Sequence, residues 1–210
     1  GTELTSQLYL VPYLNKNRIN KIDNFIISHP HTDHYGGIKA ILDSGIIISN
    51  IYYNKPPLGV SDFDYKPQEF NSLLQRSKFL GAKLHDVKKG DVLNLPTSKI
   101  NILEAKKTAQ RGGVNDLSIV FSWAAGGYTS LFTGDLNEPL GKLLTGNPIF
   151  SADFYKAPHH GVTGVAPNSF SNTVEPTLMM VPQEVSQEHQ LSLCKRKMVH
   201  HTLLLLTTMC

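Results

Sequence analysis

The most constraining feature of the chain is residues 29–34, whose sequence HPHTDH places three histidines and one aspartate within six residues. The apolar run 24–28 precedes this segment and predicts a buried strand. Gly36 and Gly37 follow it and open a segment, 37–43, whose apolar residues share one helical face. The histidines are therefore predicted to lie on a loop between a strand and a helix, where α/β proteins place reactive groups.

This crowding of imidazoles and a carboxylate is typical of a metal site. A divalent ion needs several neutral imidazoles and a carboxylate to converge at about 2.0–2.2 Å. His29 and His31 are alternate residues of an extended loop and are expected to face one spot. Asp33 and His34 follow as the chain turns and are expected to face a second spot nearby. The competing interpretation is a solvated polar loop, which the density of histidines disfavours.

Composition narrows the class of protein. The chain has 210 residues, of which 40% are apolar and 18% charged, as in a globular protein with a real core. The net charge of +3 is accounted for by the basic residues 195–197, so the rest of the chain has no overall charge that would attract nucleic acid. Cys194 and Cys210 both lie near the C-terminus, where they indicate neither a disulfide framework nor a cysteine-based zinc site.

No segment indicates a membrane location. The longest apolar run is too short to cross a bilayer, and the chain does not begin with a signal-peptide pattern. The expectation is a soluble and cytoplasmic protein without a membrane span; its oligomeric state is left open.

Hydrophobic periodicity and turn residues predict alternating strands and helices in one domain, 1–183, followed by a poorly specified tail, 184–210. A flexible basic loop is expected at 105–114. The predicted helices are 7–16, 37–43, 67–80, 137–145 and 167–173. The predicted strands are 24–28, 46–53, 83–87, 92–95, 99–103, 117–123, 128–132, 154–157 and 177–181.

Two further motifs follow predicted strands. Asp135 ends a Thr-Gly-Asp turn, where it either caps the next helix or contributes a bridging carboxylate to a metal site. His159 and His160 follow the strand 154–157. Adjacent side chains point in different directions, so one of these histidines is expected to bind metal and the other to orient it or contact substrate.

Together these motifs resemble the metallo-β-lactamase superfamily. The resemblance rests on residues 29–34, Thr133-Gly134-Asp135 and His159-His160-Gly161. Residues 115–120 (NDLSIV) and 156–161 (KAPHHG) make the chain most similar to the soluble hydrolase domain of ComEC-type competence proteins, over about residues 8–182. Two features of the family are absent. The chain starts after the usual first strands and so looks N-terminally truncated, and it lacks the Gly-His-Thr segment of lactamases.

The resemblance implies a fold and a ligand set. The fold is an α/β sandwich of αββα type, with two mixed sheets packed face to face and helices outside. His29 and His31 would hold one metal, Asp33, His34 and His160 the second, and Asp135 would bridge, with His159 beside them. Asp33, Asp135 and His160 would be the catalytic residues. Two divalent ions would ionise a bridging water, with zinc as the first choice and manganese or iron as alternatives.

The resemblance also suggests a substrate. A phosphodiester comes first, and nucleic acid is a candidate partner. Its contacts would be Lys106, Lys107, Arg111 and Asn115, although the loop that holds the three basic residues is as readily a solvated one. The alternatives are a hydrolase of small esters, thioesters or lactams, and a non-catalytic metal-binding remnant, which the absent strands and the irregular tail favour.

Overall fold

The computed structural model of the protein describes residues 1–109, 113–162 and 165–181, so the predicted tail lies outside the described residues. These residues form two β-sheets that pack face to face, with helices covering the outer face of each sheet. The αββα sandwich expected from the resemblance is confirmed. None of the helices in the described ranges is both long and apolar enough to cross a membrane.

The first half of the chain forms the smaller sheet and its helices. A continuous helical run, named α1, consists of Glu3–Thr5, the π-helical turn Ser6–Leu10 and Val11–Lys16. The elements that follow are β1 (Lys21–Ile26), α2 (Thr32–Tyr35), α3 (Gly37–Asp43), β2 (Ile47–Tyr53), α4 (Pro67–Phe79) and β3 (Lys83–Asp86).

The second half forms the larger sheet and its helices. Its regular elements are β4 (Val92–Leu95), β5 (Ser98–Glu104), β6 (Val120–Ala125), β7 (Tyr128–Phe132), α5 (Glu138–Leu144), β8 (Phe154–Lys156), α6 (Asn168–Val174) and β9 (Leu178–Met180). Short 3-10 turns are formed by Gly113–Leu117, Pro148–Phe150 and Pro158–Gly161.

Strand direction differs between the two sheets. The small sheet has the order β1-β2-β3 and is entirely parallel, because a helix returns the chain to the same sheet edge before each new strand. The large sheet has the order β4-β5-β6-β7-β8-β9, antiparallel from β4 to β7 and parallel from β7 to β9. The prediction of two mixed sheets is therefore wrong for the small sheet and correct for the large one.

Three apolar clusters hold the layers together. The cluster between the sheets includes Ile102 and Ile119, against which Ile26 and Tyr52 of the small sheet pack. A second cluster packs α3 and α4 on the small sheet, and a third packs α5 and α6 on the large one. On β5, Ile102 faces the other sheet while the adjacent Leu103 faces the helices, as the two-residue period of a strand requires.

Most predicted elements are present, with shifted ends. The strand predicted at 24–28 starts earlier and stops at Ile26, so the residues before His29 already belong to the loop. The strand predicted at 117–123 begins at Val120, because Gly113–Leu117 forms a 3-10 turn. The predicted hairpin between β6 and β7 is confirmed; Gly126 and Gly127 both have positive φ (59° and 83°), as a two-residue type I′ turn requires.

Gly134, directly after β7, is a point of close contact between loops. Its φ is +54°, and a Cβ placed there would lie 2.8 Å from Ser118 Oγ, 3.0 Å from Ser118 Cβ and 3.1 Å from Ser28 Cβ. Only glycine allows both this backbone conformation and this approach. The loop after β7 is thereby pressed against the loops that carry Ser28 and Ser118.

We expect Gly134→Ala to destabilise the protein more than Gly126→Ala does. Both residues have similar φ, 54° and 59°, but a Cβ at Gly126 meets nothing within 4 Å. Backbone strain alone should cost about 1 kcal/mol in Gly126→Ala, and overpacking should add about 1–3 kcal/mol in Gly134→Ala. Urea unfolding of both variants and the wild type measures the difference; equal losses would show that the close contact relaxes at no cost.

Candidate metal centre

Three loops form the site, and each follows a strand. The segment after β1 carries residues 29–34, of which 29–31 are loop and 32–34 already belong to α2; the loop after β7 carries Asp135, and the 3-10 turn after β8 carries His160. Hydrogen bonds join these segments to one another and to residues 118–119 before β6: Ile119 N donates to Ser28 O (2.8 Å), Asp135 N to the Ser118 hydroxyl oxygen (3.1 Å), and His159 N to Gly134 O (3.2 Å). The site is therefore built at the edge of the sandwich where the ends of both sheets meet.

The first donor group consists of Asp33, His34, Asp135 and His160. Asp33 Oδ2 lies 3.2 Å from His34 Nε2 and 3.1 Å from His160 Nε2, and Asp135 Oδ2 lies 3.3 Å and 3.4 Å from the same two nitrogens. The nitrogens themselves are 3.2 Å apart. Ligand atoms about 2.0–2.1 Å from a tetrahedrally bound ion lie about 3.3–3.4 Å from one another. The five distances, 3.1–3.4 Å, are close to this spacing, so the four groups could hold one ion.

The second donor group consists of His29, His31 and, again, Asp135. His29 Nε2 lies 3.0 Å from His31 Nδ1 and 3.9 Å from Asp135 Oδ2. Among the described residues this set has three protein groups. His85, the only histidine between His34 and Asp135, does not add a fourth, because it lies on β3 with its Nε2 3.0 Å from Asn50 Oδ1. Asp135 is the one residue common to both groups.

The donor chemistry of the site suits divalent cations. The carboxylates accept hydrogen bonds, and the imidazole nitrogens are ligands when unprotonated. Asp135 is 3% exposed, and its Oδ1 is buried and has no hydrogen-bond partner. An anionic oxygen buried without a partner is costly unless a cation compensates it. The residues present therefore fit the metal ions that the sequence predicts.

The electrostatics of the site keep three of the donor residues, His29, Asp33 and Asp135, unprotonated at neutral pH. Burial lowers the pKa of His29, and the neighbouring His34 lowers it further. Burial alone would raise the pKa of the Asp33 and Asp135 carboxyls, but contacts with His160 and His34 outweigh burial and lower both pKa values below the usual range. Neutral imidazoles and ionised carboxylates are the forms that bind metal.

Side chains behind the donors orient them, and the sequence analysis missed these residues. Ser28 Oγ lies 2.8 Å from His34 Nδ1 and 3.3 Å from His29 Nδ1, so the Nε2 atoms of both rings face the site. Asp62 Oδ1 likewise lies 3.3 Å from a donor ring, at His31 Nε2. The nearby Asp64 contacts no donor ring and instead anchors the loop, accepting through both oxygens from Thr32 Oγ1 (2.7 and 2.8 Å). In the sequence, the only indication of a role for Asp62 and Asp64 is that two aspartates occur close together in a loop rich in proline and glycine.

Of the adjacent histidines, only His160 joins a donor group. His159 lies outside both groups, and its buried Nδ1 has no hydrogen-bond partner. Including His159 among the metal ligands is therefore not supported, while the expectation that one of the pair faces the site agrees with the geometry. The two residues have φ of 46° and 55°, and Gly161 has φ of 81°. Successive left-handed residues aim the adjacent rings in different directions, at a cost in backbone strain.

The geometry also separates the two roles considered for Asp135. The cap of α5 is Asn137, whose side chain accepts a hydrogen bond from Leu140 N at 3.4 Å. The Asp135 carboxylate instead lies among His29, His34 and His160. The helix-capping alternative is therefore wrong.

The residues predicted to contact substrate are less well placed. The Lys107 ammonium donates to Asn54 Oδ1 (2.7 Å), Asp86 Oδ1 (2.6 Å) and the carbonyl oxygen of Val87 (2.6 Å). These acceptors use all three of its hydrogens, so Lys107 holds other segments of the chain in place and the geometry gives its predicted substrate role no support.

The other predicted substrate residues have different outcomes. The carbonyl oxygen of Lys106 accepts from Asn54 Nδ2 at 2.8 Å. Asn115 lies on the 3-10 turn before Ser118, and its buried Oδ1 has no hydrogen-bond partner. Arg111 lies outside the described residues. A substrate role for Lys106, Arg111 and Asn115 stays a prediction.

Comparison with known proteins agrees with the geometry. ComE operon protein 3 of Bacillus subtilis (strain 168) is 27% identical over 175 residues, which are 82% of this chain and 21% of that protein. Competence protein ComA of Neisseria gonorrhoeae is 26% identical over 180 residues, 84% of this chain and 22% of that protein. The chain thus spans about a fifth of the length of these relatives.

A solved structure and a family profile complete the comparison. CmlA, a diiron beta-hydroxylase from Streptomyces venezuelae, has a TM-score of 0.49 at 16% identity, over 76% of this chain and 35% of that chain. The profile of the metallo-beta-lactamase superfamily matches residues 1–176. Since that match covers most of the sequence, the chain belongs to the metallo-beta-lactamase superfamily.

Proposed function

We propose that the chain is a hydrolase that cleaves phosphodiester bonds with two divalent ions. The observation that carries this proposal is the pair of donor groups that share Asp135. In the proposed site, His29 and His31 hold one ion, Asp33, His34 and His160 hold the other, and Asp135 contacts both. Members of the superfamily are generally metal-dependent hydrolases.

The roles of the residues follow from their charge and burial. When bound, a pair of ions would activate a water for attack and stabilise the charge on the attacked phosphorus. Asp33 and Asp135 supply negative charge in a partly desolvated site, where the attraction between a carboxylate and a cation is stronger than in water. His29, 1% exposed and neutral, supplies an imidazole without adding charge. Imidazole and carboxylate donors favour zinc, and manganese or iron are alternatives.

Two considerations favour a phosphodiester. The resemblance to ComEC-type domains puts this substrate first, and both curated relatives occur under names from bacterial competence. Lys156 Nζ donates to Gly134 O at 3.1 Å, which places a cation on the loop that carries Asp135. A phosphodiester is anionic, so a cation beside the donor groups supports its binding.

A hydrolase of small esters, thioesters or lactams is the second candidate. The observation that favours it is the engagement of Lys107, which removes one of the cations that a nucleic acid would need. Outside the basic residues 195–197 the chain has no overall positive charge, so this part has little to attract a polyanion.

We expect the metal-loaded protein to hydrolyse an aryl phosphodiester faster than a thioester or a lactam. A chromogenic substrate of each class, assayed with zinc and with manganese, measures this preference. The same assay on chelator-treated protein is the control for metal dependence. Faster turnover of the thioester or the lactam would support the second candidate, and turnover of none of them would support the non-catalytic alternative.

We expect Asp135→Asn to lose metal and turnover together. Asparagine keeps the shape of the side chain but removes the charge shared by the two donor groups. Removing a residue that only supports a metal ligand lowers metal affinity or activity about 10- to 100-fold, and we expect Asp135→Asn to lose at least that much of both. Asp153→Asn is the matched control, because Asp153 accepts from Thr129 N (2.8 Å) outside the centre. Elemental analysis and turnover measure both effects; full activity in Asp135→Asn would disprove the bridging role.

We expect metal content to fall as the pH is lowered. Protons compete with the ions for the imidazole nitrogens, whose ordinary pKa is about 6.5. Since burial lowers the pKa of His29, this ring stays unprotonated at neutral pH and is protonated only on stronger acidification. Elemental analysis after dialysis at a series of pH values should show about two ions per chain near neutrality and a decline that begins well below pH 6.5, where His29 becomes protonated. A content that does not change with pH would argue against histidine ligation.

A further inference from the structure

We infer that Asp62 is a positioning residue for His31, holding that ring in the orientation in which its Nδ1 faces the metal site. The inference rests on the proposed function, since it concerns one of the two proposed ions. Asp62 belongs to the loop between β2 and α4, far from His31 in sequence, and its Oδ1 lies 3.3 Å from His31 Nε2.

The chemistry of the imidazole makes this contact significant. His31 Nδ1 is the atom that faces His29 Nε2, at 3.0 Å. A neutral ring that binds metal through Nδ1 carries its proton on Nε2. That Nε2 is buried and makes no aligned hydrogen bond, and the Asp62 carboxylate faces it. A carboxylate in this position fixes the tautomer of a metal-binding histidine and increases the basicity of the ligating nitrogen.

The Asp62 carboxylate is itself held in place. Its Oδ2 accepts a hydrogen bond from Val114 N at 2.9 Å. Gly113, with φ of +59°, lies so close that any Cβ at that position would collide with Oδ2. Burial would raise the pKa of the Asp62 carboxyl, but the Val114 N–H and His31 outweigh burial and lower it. Asp62 is thus an ionised acceptor that links the histidine loop to the 3-10 turn Gly113–Leu117.

Asp64 provides the matched comparison. It belongs to the same loop, and its two oxygens share one hydrogen bond from the Thr32 hydroxyl, at 2.7 and 2.8 Å. Thr32 is in neither donor group, so Asp64 anchors the loop without contacting a donor ring. Removing Asp64 tests loop anchoring, whereas removing Asp62 tests anchoring and ring positioning together.

The experiment measures zinc affinity in the wild type and in Asp62→Ala, Asp62→Asn and Asp64→Ala. Competition with a chromophoric chelator gives the two affinities, and elemental analysis gives the stoichiometry. We expect Asp62→Ala to lower the affinity for one of the two zinc ions about 10- to 100-fold and to leave the affinity for the other unchanged. The affinity of Asp62→Asn for that ion should lie between those of the wild type and Asp62→Ala, because an amide oxygen accepts a hydrogen bond but carries no charge. Asp64→Ala should bind both ions as the wild type does.

The outcomes separate this inference from the proposed function. If the wild type binds no zinc, the proposed function fails. If the wild type binds two ions and both Asp62 variants bind them equally well, the positioning role of Asp62 is disproved and the proposed function is unaffected. An equal loss in Asp64→Ala would show that loop anchoring is responsible and would also overturn the inference. If Asp62→Ala does not unfold cooperatively, and so is not properly folded, the zinc affinities of Asp62→Asn decide whether Asp62 positions His31.

Discussion

The buried carboxylate of Asp135 is the interaction on which the arrangement of this site depends. Its Oδ2 lies within 3.3–3.9 Å of the nitrogens of His29, His34 and His160, which come from loops on both sheets. A charge in that position is costly in the absence of compensation, so the surrounding loops must hold their polar groups precisely enough to stabilise it. The serine hydroxyls of residues 28 and 118 do this through contacts with the rings and with the Asp135 amide.

The sandwich accounts for how these groups meet. Parallel strands end at the same sheet edge, which brings the loops after β7 and β8 together. The face-to-face packing of the sheets then places the loop after β1 against them, and the hydrogen bond from Ile119 N to Ser28 O joins the two sheets at that edge. The apolar core fixes the distance between the sheets, and this distance in turn determines how closely the polar loops at their edge approach one another.

Much of the site follows from sequence because its ligands are concentrated in short motifs. Residues 29–34, Asp135 and His160 were each recognisable from residue type and from a position after a strand. Asp62 was not, because its role depends on a contact with His31 that only the folded chain creates. The sequence does not reveal how Lys107 is engaged for the same reason: its three acceptors come from residues 54, 86 and 87, distant along the chain. The direction of the strands in the small sheet likewise depends on tertiary packing rather than on local pattern.

The left-handed backbone at His159 and His160 has a consequence for how the site forms. Each such residue costs about 1–3 kcal/mol relative to relaxed backbone, and the fold must supply that energy through contacts made elsewhere. The segment therefore reaches its final conformation only when the neighbouring loops have closed around it. A partly folded chain therefore does not hold His160 beside Asp33, His34 and Asp135, and this donor group is complete only in the fully folded protein.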